Sequence, residues 1–160
     1  AHWGLLVIAA GGLMLRARPL LAAEGAWGHL VDYDEGVYFA ASALLWNGTL
    51  PYRDFVFVHP PGILYFLAPL TALTEWVSPE RLFACARFLG ALVGAVNIAL
   101  LGRLIGRRYG WFGGLVAAAF YAAYPEAVWA ERGPFLEPAL NCACRSSSLT
   151  LIPPPINTSP

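Results

Sequence analysis

Three carboxylates fall within four consecutive positions, Asp32, Asp34 and Glu35, in the stretch DYDEGVYF. A helix starting here would favour the ionised carboxylate through its N-terminal dipole, while apolar neighbours would favour the protonated form. A carboxylate balanced between those influences can take a proton from a hydroxyl nucleophile near neutral pH. Acids at a helix start also serve simply as caps, and spacing alone does not separate the two roles. His59, ahead of Pro60-Pro61-Gly62, offers hydrogen bonding or proton shuttling, or else only braces its turn. Tyr52, Arg53 and Asp54 form a local polar group whose plain alternative is an exposed ion pair.

Two further groups invite chemistry. Arg87 stands about two helical turns into an apolar run, where an ionisable side chain is costly and by default a functional candidate. Its guanidinium suits a lipid phosphate, which it can pair bidentately; the bland reading is that it snorkels to the interface. The stretch PEAVWAERGPFLEP adds Glu126, Glu131, Arg132 and Glu137. If both acidic stretches end on one membrane face, capping alone does not account for them.

The elements that must hold these residues are unusually apolar. Hydrophobic residues make up 58% of the chain and charged residues 12%, with a mean hydropathy of +0.57. Soluble domains carry roughly twice that share of charge, and 160 residues cannot bury so much apolar surface, so lipid must cover part of it. A net charge of zero argues against a nucleic-acid surface, which needs clustered basic residues. All ten basic residues are Arg, a codon-usage signature without functional content.

A spanning helix takes about 20 apolar residues. The spans expected are 3–15, as the second half of a first helix, then 82–105 and 111–129. Ser78, Pro79 and Glu80 mark the start of the second. The link GRLIGRRYG is basic and free of acid, so it faces the cytoplasm and the segment 16–81 lies outside. Arg16 and Arg18, just beyond the first span, weaken that rule slightly. Within the outer segment, Asp34 to Trp46 and Ile63 to Val77 read as two short apolar helices lying on the membrane surface, the second broken by Pro69. Turn residues Gly48, Pro51, Pro60, Pro61 and Gly62 separate them.

The cysteines, Cys85, Cys142 and Cys144, have neither metal-ligand spacing nor a disulfide framework; Cys85 reads as a buried small residue. No metal-ligating set is expected. The chain enters an apolar run at Ala1, as if a helix had lost its start, and residues 142–160 break the pattern with a Ser- and Pro-rich tail. That tail is expected to be irregular, either disordered or the product of a broken reading frame. NGT at Asn47 and NTS at Asn157 are chance glycosylation matches in a bacterial-looking chain.

The segment DYDEGVYFAASALLWNGTLPYRDFVFVHPPGILYFLAP resembles the first outer loop of bacterial GT-C type membrane glycosyltransferases. These are the family-39-like relatives of protein O-mannosyltransferases and of the lipid A aminoarabinose transferase. FACARFLGALVGAVNIALLGRLIGRRYG and YPEAVWAERGPFLEP are similar to their next two spans and second outer loop. The resemblance covers roughly residues 3–141, and its Asp-Glu pair, G-x-x-PY-x-D and HPPG are specific only together. It implies an all-α membrane protein, of which residues 1–141 form the N-terminal part of a GT-C-like polytopic helical bundle with interfacial helices in the first outer loop.

The implied activity is inverting transfer of a sugar from a polyprenyl-phosphate donor to an acceptor hydroxyl of a glycan, lipid or protein. It would take place on the outer face of the bacterial plasma membrane. By analogy Asp34, with Glu35 beside it, is the general base. Arg87 or Arg132 would neutralise the departing phosphate, and Glu137 matches the second acidic region. Tyr52, Asp54 and His59 complete the substrate-binding set. A divalent cation is left open, since relatives differ. Family members have many more spans, so this piece alone is expected to be inactive. The alternative reading is a non-catalytic membrane subunit or transporter fragment whose outer-face acids bind cations.

Overall fold

The computed structural model describes residues 2–21, 33–133, 141 and 144–148. Among them the architecture is all-α, with one isolated bridge, Pro51 to Phe55, in place of any strand. The helices are α1 (His2–Leu21), α2 (Tyr33–Trp46), α3 (Gly62–Thr71), α4 (Pro79–Ala123) and α5 (Pro125–Ala130).

α4 is a hairpin. Gly110 has φ 83° and ψ 160°, a left-handed conformation that glycine reaches without a Cβ clash, and there the helix reverses. The returning arm, 111–123, packs on the outgoing arm, 79–109. A methyl group on Gly102 would lie 3.1 Å from the Ala118 Cβ, and one on Gly114 would press on the carbonyl of Gly102. The expected loop between two spans is therefore a single residue. Arg103, Arg107 and Arg108 ride on the helix itself up to the reversal.

α1 lies along both arms. Leu5 meets Gly102, Gly12 meets Ile98 and Arg16 meets Gly94, so α1 runs antiparallel to the outgoing arm. Gly4 against Leu115 and Gly12 against Ala122 set it parallel to the returning one. Leu5, Ala9, Ile98, Ala118 and Ala122 form the shared core. Small residues let the backbones approach closely, the packing mode that serves helices in lipid. The first helix exceeds the expected 3–15 and carries Arg16 within it rather than beyond it.

The second cluster joins α2, α3 and the start of α4 through Tyr38, Ala41, Phe57, Ile63, Leu64, Leu67 and Ala86. The two short helices thus bury their apolar faces on each other. Pro69 does not break the second one: α3 runs through it to Thr71 and tightens into a 3-10 turn over Ala72–Glu75. Ser78 occupies the N-cap of α4 and Pro79 its first turn, although the Ser78 side chain makes no capping bond.

The third expected span, 111–129, is interrupted. Pro125 disfavours helical backbone at the residue before it, and Tyr124 is extended at φ −67° and ψ 118° before α5 begins. Cys85, expected inside, is exposed, because it points away from the face of α4 that carries Ala84, Ala86 and Arg87. In the region of the expected irregular tail, residues 144–148 are helical. Among the described residues one helix, α4, is long and apolar enough to cross a membrane.

Candidate functional site

The site residues gather at the end of the bundle opposite Gly110. Two buried ion pairs organise it, and both use the same face of α4.

The first pair pins α2. Glu35, in the first turn of that helix, is buried, and it meets Arg87 across 52 positions of chain. Arg87 Nη2 donates to Glu35 Oε2 at 2.8 Å and Nε donates to Oε1 at 3.2 Å. Only 4% of the Arg87 side chain and 1% of the Glu35 side chain are exposed. The Phe83 ring lies 5.9 Å from the guanidinium carbon and stacks on Phe39 at 4.5 Å. Carboxylate, guanidinium and two aromatic rings form one closed packet. Arg87 therefore neither snorkels nor faces outward; it holds α2 against α4. Asp34, one residue before Glu35, is half-buried on the rim of that packet.

The second pair ties α1 to the segment after α5. Arg16 and Glu131 meet at 2.7 Å with side-chain exposures of 0% and 1%. Arg16 Nε donates to Glu131 Oε2 at 2.9 Å, and Nη1 donates to the carbonyls of Gly12 and Ala122. The other carboxylate oxygen of Glu131 accepts from Asn97 Nδ2 at 2.7 Å and from the Tyr121 hydroxyl at 2.9 Å. The charge is thus compensated and nearly every lone pair used, which is what a buried ion pair requires. Arg145 caps this group, donating to the Asn97 carbonyl and lying 4.1 Å from the Tyr121 ring centroid.

Glycines set the spacing. A Cβ on Gly94 would lie 2.7 Å from Arg16 Nε and 2.9 Å from Glu131 Oε2, and one on Gly90 would strike the carbonyl of Gly133. Positions 87, 90, 94 and 97 share one face of α4. The 131–133 turn therefore crosses α4 about one helical turn from Arg87. Arg132 sits in this turn, half-buried, with its guanidinium carbon 5.9 Å from the Trp129 ring centroid. Its Nε is buried with no hydrogen-bond partner.

The 48–59 segment packs on α2 through Phe57 and His59, which both meet the Tyr38 ring. Asp54 accepts from the Leu50 backbone N–H at 2.7 Å and pairs with Arg53 at 2.7 Å on the exposed surface. The Arg53 hydrogen bond, then the Leu50 N–H, hold the Asp54 carboxyl below its ordinary value, and the same contact raises Arg53. Tyr52, with a positive φ of 65°, donates its hydroxyl proton to the His59 carbonyl. The His59 ring meets Tyr38 edge-on at 5.3 Å, one turn along α2 from Asp34. His59 thus braces the turn through its ring while its carbonyl receives Tyr52.

Of the residues singled out in the sequence, Glu35 and Arg87 are brought into contact, as are Tyr52 and His59. Asp54 is held locally by Arg53 and not by the rest of the set. Asp32, Glu137 and Cys142 lie outside the described residues. Sequence reasoning missed the Arg16–Glu131 pair. The available signal was an Arg in an apolar helix, which must find an acid, but three candidate acids near residue 131 left the choice open. Among the described residues no three His, Cys, Asp or Glu side chains are placed to hold a metal ion. No family model matches the chain, and neither a curated protein nor a solved structure matches it.

Proposed function

We propose that this chain is the N-terminal part of a GT-C type, polytopic membrane glycosyltransferase. In this reading it contributes the general base and a phosphate-facing arginine to a site at the outer membrane surface. The observation that carries the reading is the Glu35–Arg87 pair, which fixes the first turn of α2 and leaves its neighbour Asp34 half-buried on the rim. Arg132, with a buried and unbonded Nε on the adjacent turn, supplies a guanidinium for an oxyanion.

The membrane setting is supported by the sides of the bundle. Trp3, Phe112 and Phe120 are each more than three-quarters exposed, as lipid-facing side chains would be. The acid-free Arg103, Arg107 and Arg108 stand at the end opposite Glu35 and Glu131, which matches a cytoplasmic turn and an outer site.

In the transfer, Asp34 accepts the proton of an acceptor hydroxyl as its oxygen bonds to the anomeric carbon of the donor sugar. The bond from that carbon to the polyprenyl-phosphate oxygen breaks, and the phosphate leaves with the electron pair. Attack from the opposite side inverts the anomeric configuration. Glu35, whose charge is held by Arg87, positions the α2 turn and is not the base. Such a step needs an in-place base and charge stabilisation more than acid assistance, because phosphate is a good leaving group. Arg132 meets that charge.

The test is sugar transfer from a polyprenyl-phosphate donor by the full-length protein with Asp34→Asn. Loss of transfer with donor binding retained is expected; wild-type turnover would remove Asp34 as the base.

A further inference from the structure

We infer that the turn of the α4 hairpin carries a second site, which binds the phosphate of an anionic phospholipid through Arg103 and Arg107. The inference rests on the membrane reading of the bundle but not on its catalytic assignment. A groove of about 220 Å³ at the turn is lined by Arg103, Gly106, Arg107 and Trp111. Arg103 and Arg107 are four residues apart and exposed, so their guanidinium groups project from one side of the helix. Gly106 leaves the floor of the groove as bare backbone, because the returning arm passes against it at Gly114.

Sign and setting identify the ligand. From Phe88 to Tyr124 the chain carries Arg103, Arg107 and Arg108 and no acid. That stretch of the hairpin therefore carries three positive charges and no negative one. Trp111 is the first residue after the reversal, and exposed Tyr109 and Phe112 flank it. Arginines among aromatic rings at the end of apolar helices are the chemistry of the membrane–water interface. Paired guanidiniums match the oxygens of a phosphodiester. A choline headgroup would bring a cation against the same arginines, so an anionic headgroup such as phosphatidylglycerol is preferred.

Thermal unfolding of the full chain in neutral detergent tests this, with phosphatidylglycerol, phosphatidylcholine or inorganic phosphate added. Phosphatidylglycerol should raise the midpoint by several degrees above phosphatidylcholine. The difference should vanish in the double variant Arg103→Gln/Arg107→Gln and persist in Arg53→Gln. Equal shifts from both lipids, or a shift that survives the double variant, would overturn the site. A matching shift from inorganic phosphate would replace the lipid with a free anion and overturn it too. Flotation with phosphatidylcholine vesicles separates the two readings. A chain that floats but shows no phosphatidylglycerol preference loses only this site; a chain that does not float loses the membrane reading as well.

Discussion

Glu35 and Arg87, 52 positions apart, meet through two hydrogen bonds of 2.8 and 3.2 Å at nearly zero exposure. Their union decides what both residues do. An arginine paired this completely is a fastener between α2 and α4, and the acid beside Asp34 is its counter-charge. Breaking one side strands the other charge, which typically costs about 3–5 kcal/mol. Glu35→Gln and Arg87→Gln are each expected to lower stability by about that much in denaturant titrations. The double variant Glu35→Leu/Arg87→Met should recover much of the loss. Additive losses in the double variant would show that the two side chains do not depend on each other.

Asp34→Asn should leave unfolding unchanged within about 0.5 kcal/mol, as for a rim position outside the packed core. On the proposed function, the same change in the full-length protein should cut sugar transfer by about 10²–10⁴-fold, the usual share of a general base. A fall in stability equal to that of Glu35→Gln would make Asp34 a structural acid.

The Arg16–Glu131 group predicts a coupling over a longer chain separation. Arg16→Met and Glu131→Gln should each destabilise by about 3–5 kcal/mol, and a double-mutant cycle should return an interaction of more than about 1 kcal/mol. Tyr121→Phe removes one of several donors to Glu131 and should cost only about 1 kcal/mol.

Gly110→Ala places a Cβ on a left-handed backbone and should cost about 1–2 kcal/mol. Gly110→Asn should not rescue it, because at ψ 160° the backbone lies outside the αL basin that asparagine tolerates. Gly94→Ala should be the more damaging of the two glycine changes, since its methyl would meet Arg16 Nε at 2.7 Å. A reversed order in melting temperature would remove the close approach as the reason for Gly94.

The Asp54 carboxyl is lowered by Arg53 and by the Leu50 N–H. A lowered folded-state value means that the contribution is present above the unfolded carboxyl value and fades as pH falls through the folded one. The difference between wild type and Asp54→Asn should therefore shrink on acidification and with added salt. Because the pair lies on the surface, the difference should be small at every pH.

How much of this was legible in the sequence varies by element. The apolar runs and the start at Ser78-Pro79 placed α4, and the Asp-Glu pair placed the start of α2, because periodicity and capping act locally. Gly110 was visible only as a residue of a short basic link; that it alone makes the reversal depends on arm packing between Gly102, Gly106 and Gly114. Pro69 misled because it falls in the last turn of α3, where the helix is about to tighten into a 3-10 turn and the missing N–H costs a single bond near the helix end. The partners of Arg87 and Arg16 lay beyond sequence reasoning, since neither their spacing nor their order distinguishes one carboxylate from another.

The link between Arg16 and Glu131 also has a schedule built into it. The two residues are made 115 positions apart, so the arginine emerges during synthesis long before its acid exists. Throughout that interval the first helix carries a cation whose carboxylate partner has yet to be made. The first helix is therefore finished last: its place among the others becomes secure only when the chain has turned at Gly110, returned, and delivered Glu131.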